Sequence, residues 1–178
     1  MKSLVRLALL CLFVAPAVQA GPFVGTTLSA DGASLVVRKA DESFPAPKTE
    51  AEQEGYAQPQ VSRDGKVAGW VALNASCCTS YPLPITLVLL RADRSMVRID
   101  EVLPIWAWKF EQDGTAVAYR QRTTHGTSTI TYKLIRIRDR KLIGQYECFS
   151  EDASSESPHV PNWVWSIADE CPLRPAGR

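Results

Sequence analysis

The chain is poor in the residues that do most enzyme chemistry. Its 178 residues include two histidines, His125 and His159, without the spacing of metal ligands. It contains no Gly-x-Ser-x-Gly elbow, no glycine-rich phosphate loop and no His-Glu-x-x-His. The local signatures of a serine hydrolase, a nucleotide-binding fold and a zinc peptidase are therefore missing. Charge of one sign is also missing: 20 Lys and Arg stand against 19 Asp and Glu. A near-neutral chain offers no broad basic field for nucleic acid, so no nucleic-acid partner is expected. Beyond residue 20 no apolar run approaches the roughly 20 residues of a membrane-crossing helix. The nearest, Leu83 to Leu90, contains Pro84 and reads as a buried strand. No window sustains a 3.6-residue apolar period, which argues against a helical fold.

What the chain does have is a repeated phrase. Leu28-Ser29-Ala30-Asp31-Gly32 precedes Leu35-Val36-Val37; Val61-Ser62-Arg63-Asp64-Gly65 precedes Val67 to Trp70; Phe110-Glu111-Gln112-Asp113-Gly114 precedes Val117-Ala118-Tyr119. Asp-Gly between apolar runs is a hairpin signal, because the tight turn needs positive φ. These aspartates are explained by their turns. Further hairpins are expected from Ile85–Arg91 with Met96–Ile99, turned at Ala92-Asp93-Arg94, and from Thr129–Arg138 with Lys141–Cys148, turned at Asp139-Arg140. Lys66 to Asn74 reads as a half-buried strand. Lys39 to Pro59, with three prolines, reads as a loop with one helical turn over Thr49 to Glu54. Asn162 to Ile167 reads as a short strand or a docking segment. The fold class is all-β: an antiparallel meander of propeller-blade-like hairpins, as an open or minimal propeller or a β-sandwich.

The first 20 residues read as a signal peptide. Lys2 and Arg6 precede an apolar stretch from Leu7 to Val18, and Val18-Gln19-Ala20 forms a cleavage site before Gly21. Cys11 leaves with it. Residues 21–178 then form one β-rich domain, periplasmic or secreted. Of the five cysteines, Cys77, Cys78, Cys148 and Cys171 remain, an even count that favours disulfides in an exported chain. Three connectivities are open. Cys148 with Cys171 is favoured, as it staples the C-terminal tail across a Ser- and Glu-rich loop; closing about 23 residues is worth roughly 3 kcal/mol.

Val61-Ser62-Arg63-Asp64-Gly65-Lys66 and the strand after it resemble the repeat phrase of TolB-like propellers. Phe110 to Tyr119 looks like a second copy. Ile137-Arg138-Asp139-Arg140-Lys141-Leu142 resembles the turn that ends such a blade, with Arg140 where glycine is usual. The chain also resembles small exported proteobacterial proteins that carry a Cys-Cys-Thr-Ser-Tyr stretch, an aromatic Pro-Ile-Trp stretch and a His-Gly, here Cys77–Tyr81, Pro104–Phe110 and His125-Gly126. The resemblance implies a periplasmic β-repeat protein and attaches no reaction to it.

Candidate contacts are Cys77, Cys78, Tyr81, Trp106, Trp108 and His125. Trp106 and Trp108 stand two apart and so on a strand share one face, where aromatics stack on a glycan or anchor a partner. The adjacent cysteines read as disulfide members, or as a thiol or soft-metal site with His125 as base. No catalytic set, metal site or cofactor is assigned. The leading expectation is a non-enzymatic β-repeat protein binding a protein or envelope component. The alternatives are an immunity or inhibitor protein against a periplasmic toxin or hydrolase, and a thiol or metal enzyme using Cys77, Cys78 and His125. The turn reading is testable: Gly65→Val is expected to cost about 1 kcal/mol or more through strain at positive φ. A variant melting at the wild-type temperature would remove Gly65 from such a turn.

Overall fold

Three antiparallel meanders carry the chain. In the computed structural model, residues 22–76, 79–124, 129–149 and 159–169 are described. Sheet A is β1 (Phe23–Leu28), β2 (Leu35–Lys39) and β3 (Ser43–Pro45). Sheet B is β4 (Gln53–Val61), β5 (Val67–Asn74), β6 (Leu83–Arg91) and β7 (Met96–Asp100). Sheet C is β8 (Ile105–Glu111), β9 (Ala116–Gln121), β10 (Thr129–Arg136) and β11 (Lys141–Phe149). Each sheet is ordered by sequence and none closes on itself, so the all-β meander is the architecture. Among the described residues no helix is long and apolar enough to cross a membrane.

The sheets stack face to face with B in the middle. Phe23, Leu35 and Val37 of sheet A bury against Ala68, Trp70, Ala72 and Val88 of sheet B. From B's other face Val67, Val71, Leu87 and Leu89 bury against Ile105, Trp108, Val117 and Tyr119 of sheet C. β5 is thus covered on both sides, rather than half-buried as its alternation implied. Its small residues Ala68, Gly69 and Ala72 leave room for neighbours on either side. The far face of sheet C is closed by the C-terminal segment. There, helix α1 (Asn162–Trp165) lays Val164 and Trp163 over Ile130, Tyr132 and Leu134. This segment docks, as expected, but as a helical turn and not a strand.

Two turns repeat almost atom for atom. In the first, Ser29 Oγ donates to Asp31 Oδ1 (2.6 Å), which also accepts from Ala33 N (3.0 Å), while Ser34 N donates to Ser29 Oγ (3.0 Å). In the second, Ser62 Oγ donates to Asp64 Oδ1 (2.8 Å), which accepts from Lys66 N (3.1 Å), while Val67 N donates to Ser62 Oγ (3.0 Å). Gly32 and Gly65 sit at φ +72° and +69°. The third copy departs from this pattern. Glu111 replaces the serine, and Gln112 and Asp113 themselves take positive φ in a 3-10 turn, Gln112–Gly114. The aspartate device reappears without glycine at Asp93-Arg94 and Asp139-Arg140, where the arginines take φ +68° and +56°.

Sequence reasoning placed a loop where β3 and β4 run. β4 was hidden because Pro59 and a register shift between Ala57 and Gln60 interrupt its alternation, and Gln58 takes φ +51°. The 49–54 stretch has no helical turn; Gln53 already belongs to β4. A second register shift, between Ile105 and Ala107, rotates β8. Ile105 and Trp108 are buried in the B–C core while Trp106 stays half-buried outside that cluster, so the two tryptophans do not form one exposed aromatic face.

Trp108 occupies space that Gly69 leaves open: a Cβ on Gly69 would lie 2.7 Å from Trp108 Cη2 and 2.9 Å from Leu89 Cδ2. Strand propensity alone predicts that Gly69→Ala stabilises the protein by roughly 0.5–1 kcal/mol. Overpacking predicts the opposite, a loss of about 1–3 kcal/mol. Denaturant titration is expected to show the loss, and to show less of it in a Trp108→Phe background; a gain in stability would refute the interlock.

Candidate functional site

The strands alternate, so the tight turns of sheets B and C share one end of the stack and the longer connections lie at the other. Among the residues named from sequence, Tyr81 and Trp106 are at the long-connection end. Tyr81 is exposed, its carbonyl accepting from Thr79 Oγ1 (2.6 Å). Trp106 Nε1 donates to the carbonyl of Arg122 (3.2 Å). Trp108 is a core residue whose Nε1 donates to the carbonyl of Gln58 (3.0 Å), which leaves it no exposed aromatic surface for recognition. Cys148 lies half-buried on β11 and is not a free thiol. Cys77, Cys78, His125 and Cys171 lie outside the described residues, as do the signal segment and its cleavage site. Among the described residues no three His, Cys, Asp or Glu side chains gather as a metal-binding group.

At the tight-turn end the structure builds a cleft that sequence reasoning did not name. It has a volume of about 810 Å³ and lies between sheets B and C. Its cations are Lys66, Arg91, Arg136 and Arg138, and Val67, Ala92 and Ile137 contribute an apolar floor. The walls are held by backbone bonds between successive turns. Ala92 N donates to the carbonyl of Lys66 (3.1 Å), and Ile137 N donates to that of Thr115 (3.0 Å).

The cations are incompletely neutralised. Lys66 Nζ pairs with Asp64 Oδ2 (3.1 Å). Arg136 Nε and Arg138 Nε share one carboxylate, Asp139, at 3.4 and 3.8 Å. Arg91 Nη2 reaches only the carbonyl of Ile137, at 3.5 Å. Arg136 Nε is buried, and its contact with Asp139 is an ion pair without hydrogen-bond geometry. Two aspartates, Asp64 and Asp93, line the same cleft and are committed to their turns. Burial pushes the Asp64 carboxyl up, but the Lys66 backbone N–H, the Ser62 hydroxyl and the Lys66 charge outweigh it and hold it below its ordinary value. The Ser95 hydroxyl and backbone N–H, with the Arg91 charge, hold Asp93 below its ordinary value.

A second cluster sits in the outer wedge between sheets B and C. There Lys133 Nζ donates to both oxygens of Glu101, at 3.0 and 2.9 Å. The buried Tyr119 hydroxyl donates to the same carboxylate. Burial, reinforced by Glu101, raises the tyrosine far above its ordinary value. Tyr119 therefore stays a phenol at every physiological pH and donates only. With Glu101 occupied by both partners, the cluster clamps β9 and β10 to the connection after β7 and leaves no free base.

The missed signal for the cleft was positional. Arg91, Arg136 and Arg138 immediately precede tight turns, and the alternation of strands sends those turns to one end. Whole-chain charge hides such segregation. No family model matches the chain, and no curated protein matches it.

The turn carboxylates predict an acid response. Asp31, Asp64 and Asp93 are held below the ordinary value of 3.8, Asp31 chiefly by the Ser29 hydroxyl. A carboxyl depressed by folding adds stability that is present above its unfolded value and lost as pH falls through the folded one. Melting temperature is expected to hold down to about pH 5 and to fall below about pH 4. The Asp31→Asn/Asp64→Asn/Asp93→Asn variant is expected to lose part of that slope. An unchanged slope in the variant would assign acid sensitivity to other groups.

Proposed function

We propose that this chain is an exported, non-enzymatic β-repeat protein that binds a protein or envelope component. The observation that carries the reading is the cleft between sheets B and C, with four cations over an apolar floor and preformed walls. Preformed concave sites with a few fixed polar groups are where proteins hold ligands. The signal-like first 20 residues support a periplasmic or secreted location, with cleavage after Ala20. The TolB-like turn phrases support the repeat reading, and a Cys148–Cys171 staple fits an oxidising compartment.

The test is affinity capture from an envelope extract with the purified exported protein, after intact-mass analysis of its N-terminus. The expected results are a mature chain beginning at Gly21 and a partner that saturates and is competed by excess unlabelled protein. A chain retaining residues 1–20 in the cytoplasm would refute the location. Absence of any saturable partner would refute the binding reading.

A further inference from the structure

We propose that the cleft at the tight-turn end of sheets B and C binds an extended acidic peptide segment, its carboxylates engaging Arg91 and Arg136. This inference rests on the binding reading above and names the chemistry of the partner.

Three observations carry it. First, the guanidinium groups have unfilled donor capacity. Arg91 has one long bond, from Nη2 to the Ile137 carbonyl, and among the described residues no carboxylate in direct contact, Asp93 acting on it only through its charge; Arg136 has one partner, Asp139, which it shares with Arg138. Guanidinium groups pair with carboxylates through parallel N–H bonds, so they favour planar oxyanions. Second, the donors come from both walls of the cleft, at the ends of β6 and β10 on two different sheets, around a space of about 810 Å³. Third, the floor is apolar, with Val67 and Ile137 beneath the cations. An extended peptide presents alternate residues to opposite sides. Carboxylates on one side can reach the arginines while apolar residues on the other settle on the floor.

The walls are fixed before the ligand arrives. The Ala92–Lys66 and Ile137–Thr115 backbone bonds tie each wall into its own sheet, and Lys66 is held by Asp64. A preformed site loses less ordering entropy on binding.

The test uses fluorescence anisotropy with a labelled hexapeptide alternating glutamate and valine, a matched peptide with lysine in place of glutamate, and inorganic phosphate as competitor. The proteins are the exported wild type, Arg91→Gln/Arg136→Gln, and Arg38→Gln. Arg38 is an exposed cation on sheet A, outside the cleft. Wild type and Arg38→Gln are expected to bind the glutamate peptide and not the lysine peptide, weakening as salt rises. Arg91→Gln/Arg136→Gln is expected to lose about tenfold or more in affinity. Arg136→Lys keeps the charge without the planar fork; it controls for folding and is expected to fall between the two. Equal binding by all the proteins would overturn the proposal. So would phosphate binding lost in the double variant without any peptide binding, which would make the cleft a simple anion site. Capture of the same envelope partner by the double variant would also remove the cleft from that contact while leaving the binding reading intact.

Discussion

The stack depends on Trp108 entering the space that Gly69 leaves in sheet B. A side chain there would meet the indole ring and Leu89 at once. The contact is locked by reciprocal hydrogen bonds between β4 and β8. Trp108 Nε1 donates to the Gln58 carbonyl, while Gln58 Nε2 and Gln60 Nε2 donate to the carbonyls of Trp106 and Trp108. Phe110 packs edge-on against the same indole, at 5.1 Å between centroids. The distortions of both strands serve this joint. The bulge in β8 turns Trp108 inward, and positive φ at Gln58, before Pro59, belongs to the irregular stretch of β4 that supplies its partners.

Around that joint the same short turn is reused. A carboxylate accepts from the backbone two residues on and fixes the reversal, with or without glycine beside it. Where glycine stands, the backbone also comes close to the next sheet: the Gly65 carbonyl accepts from Phe23 N (2.7 Å) and the Gly32 carbonyl from Tyr56 N (2.8 Å). Where arginine stands, at Arg94 and Arg140, the turn faces outward and the side chain keeps its charge at the surface. Arg94 then pairs with Glu42 and lies 4.8 Å from the centre of the Phe44 ring. Turn chemistry and surface charge are thus set by the same positions.

The cleft follows from these choices. The turns gather at one end because every sheet is a meander. They bring Lys66, Arg91, Arg136 and Arg138 with them. Sheets B and C separate there enough to leave a floor of their outermost core residues. The opposite end and the outer wedge are closed differently, by Glu101, Tyr119 and Lys133 and by the bonds of Trp106.

The sequence by itself determined the all-β class, most of the hairpins and two of the three repeated turns, because alternation and Asp-Gly chemistry act over a few residues. It could not show that β5 is covered on both faces, since small residues such as Ala68 and Gly69 reveal burial only when the neighbours that fill their space are known. It could not place β4 or tell the buried Trp108 from the half-buried Trp106, because a bulge breaks the alternation and leaves no compositional mark. The candidate cleft was legible only as scattered arginines before turns. Tertiary structure decided it, because two consecutive sheets had to fold back and stack on Trp108 before Arg91 and Arg136, distant in the chain, faced one space.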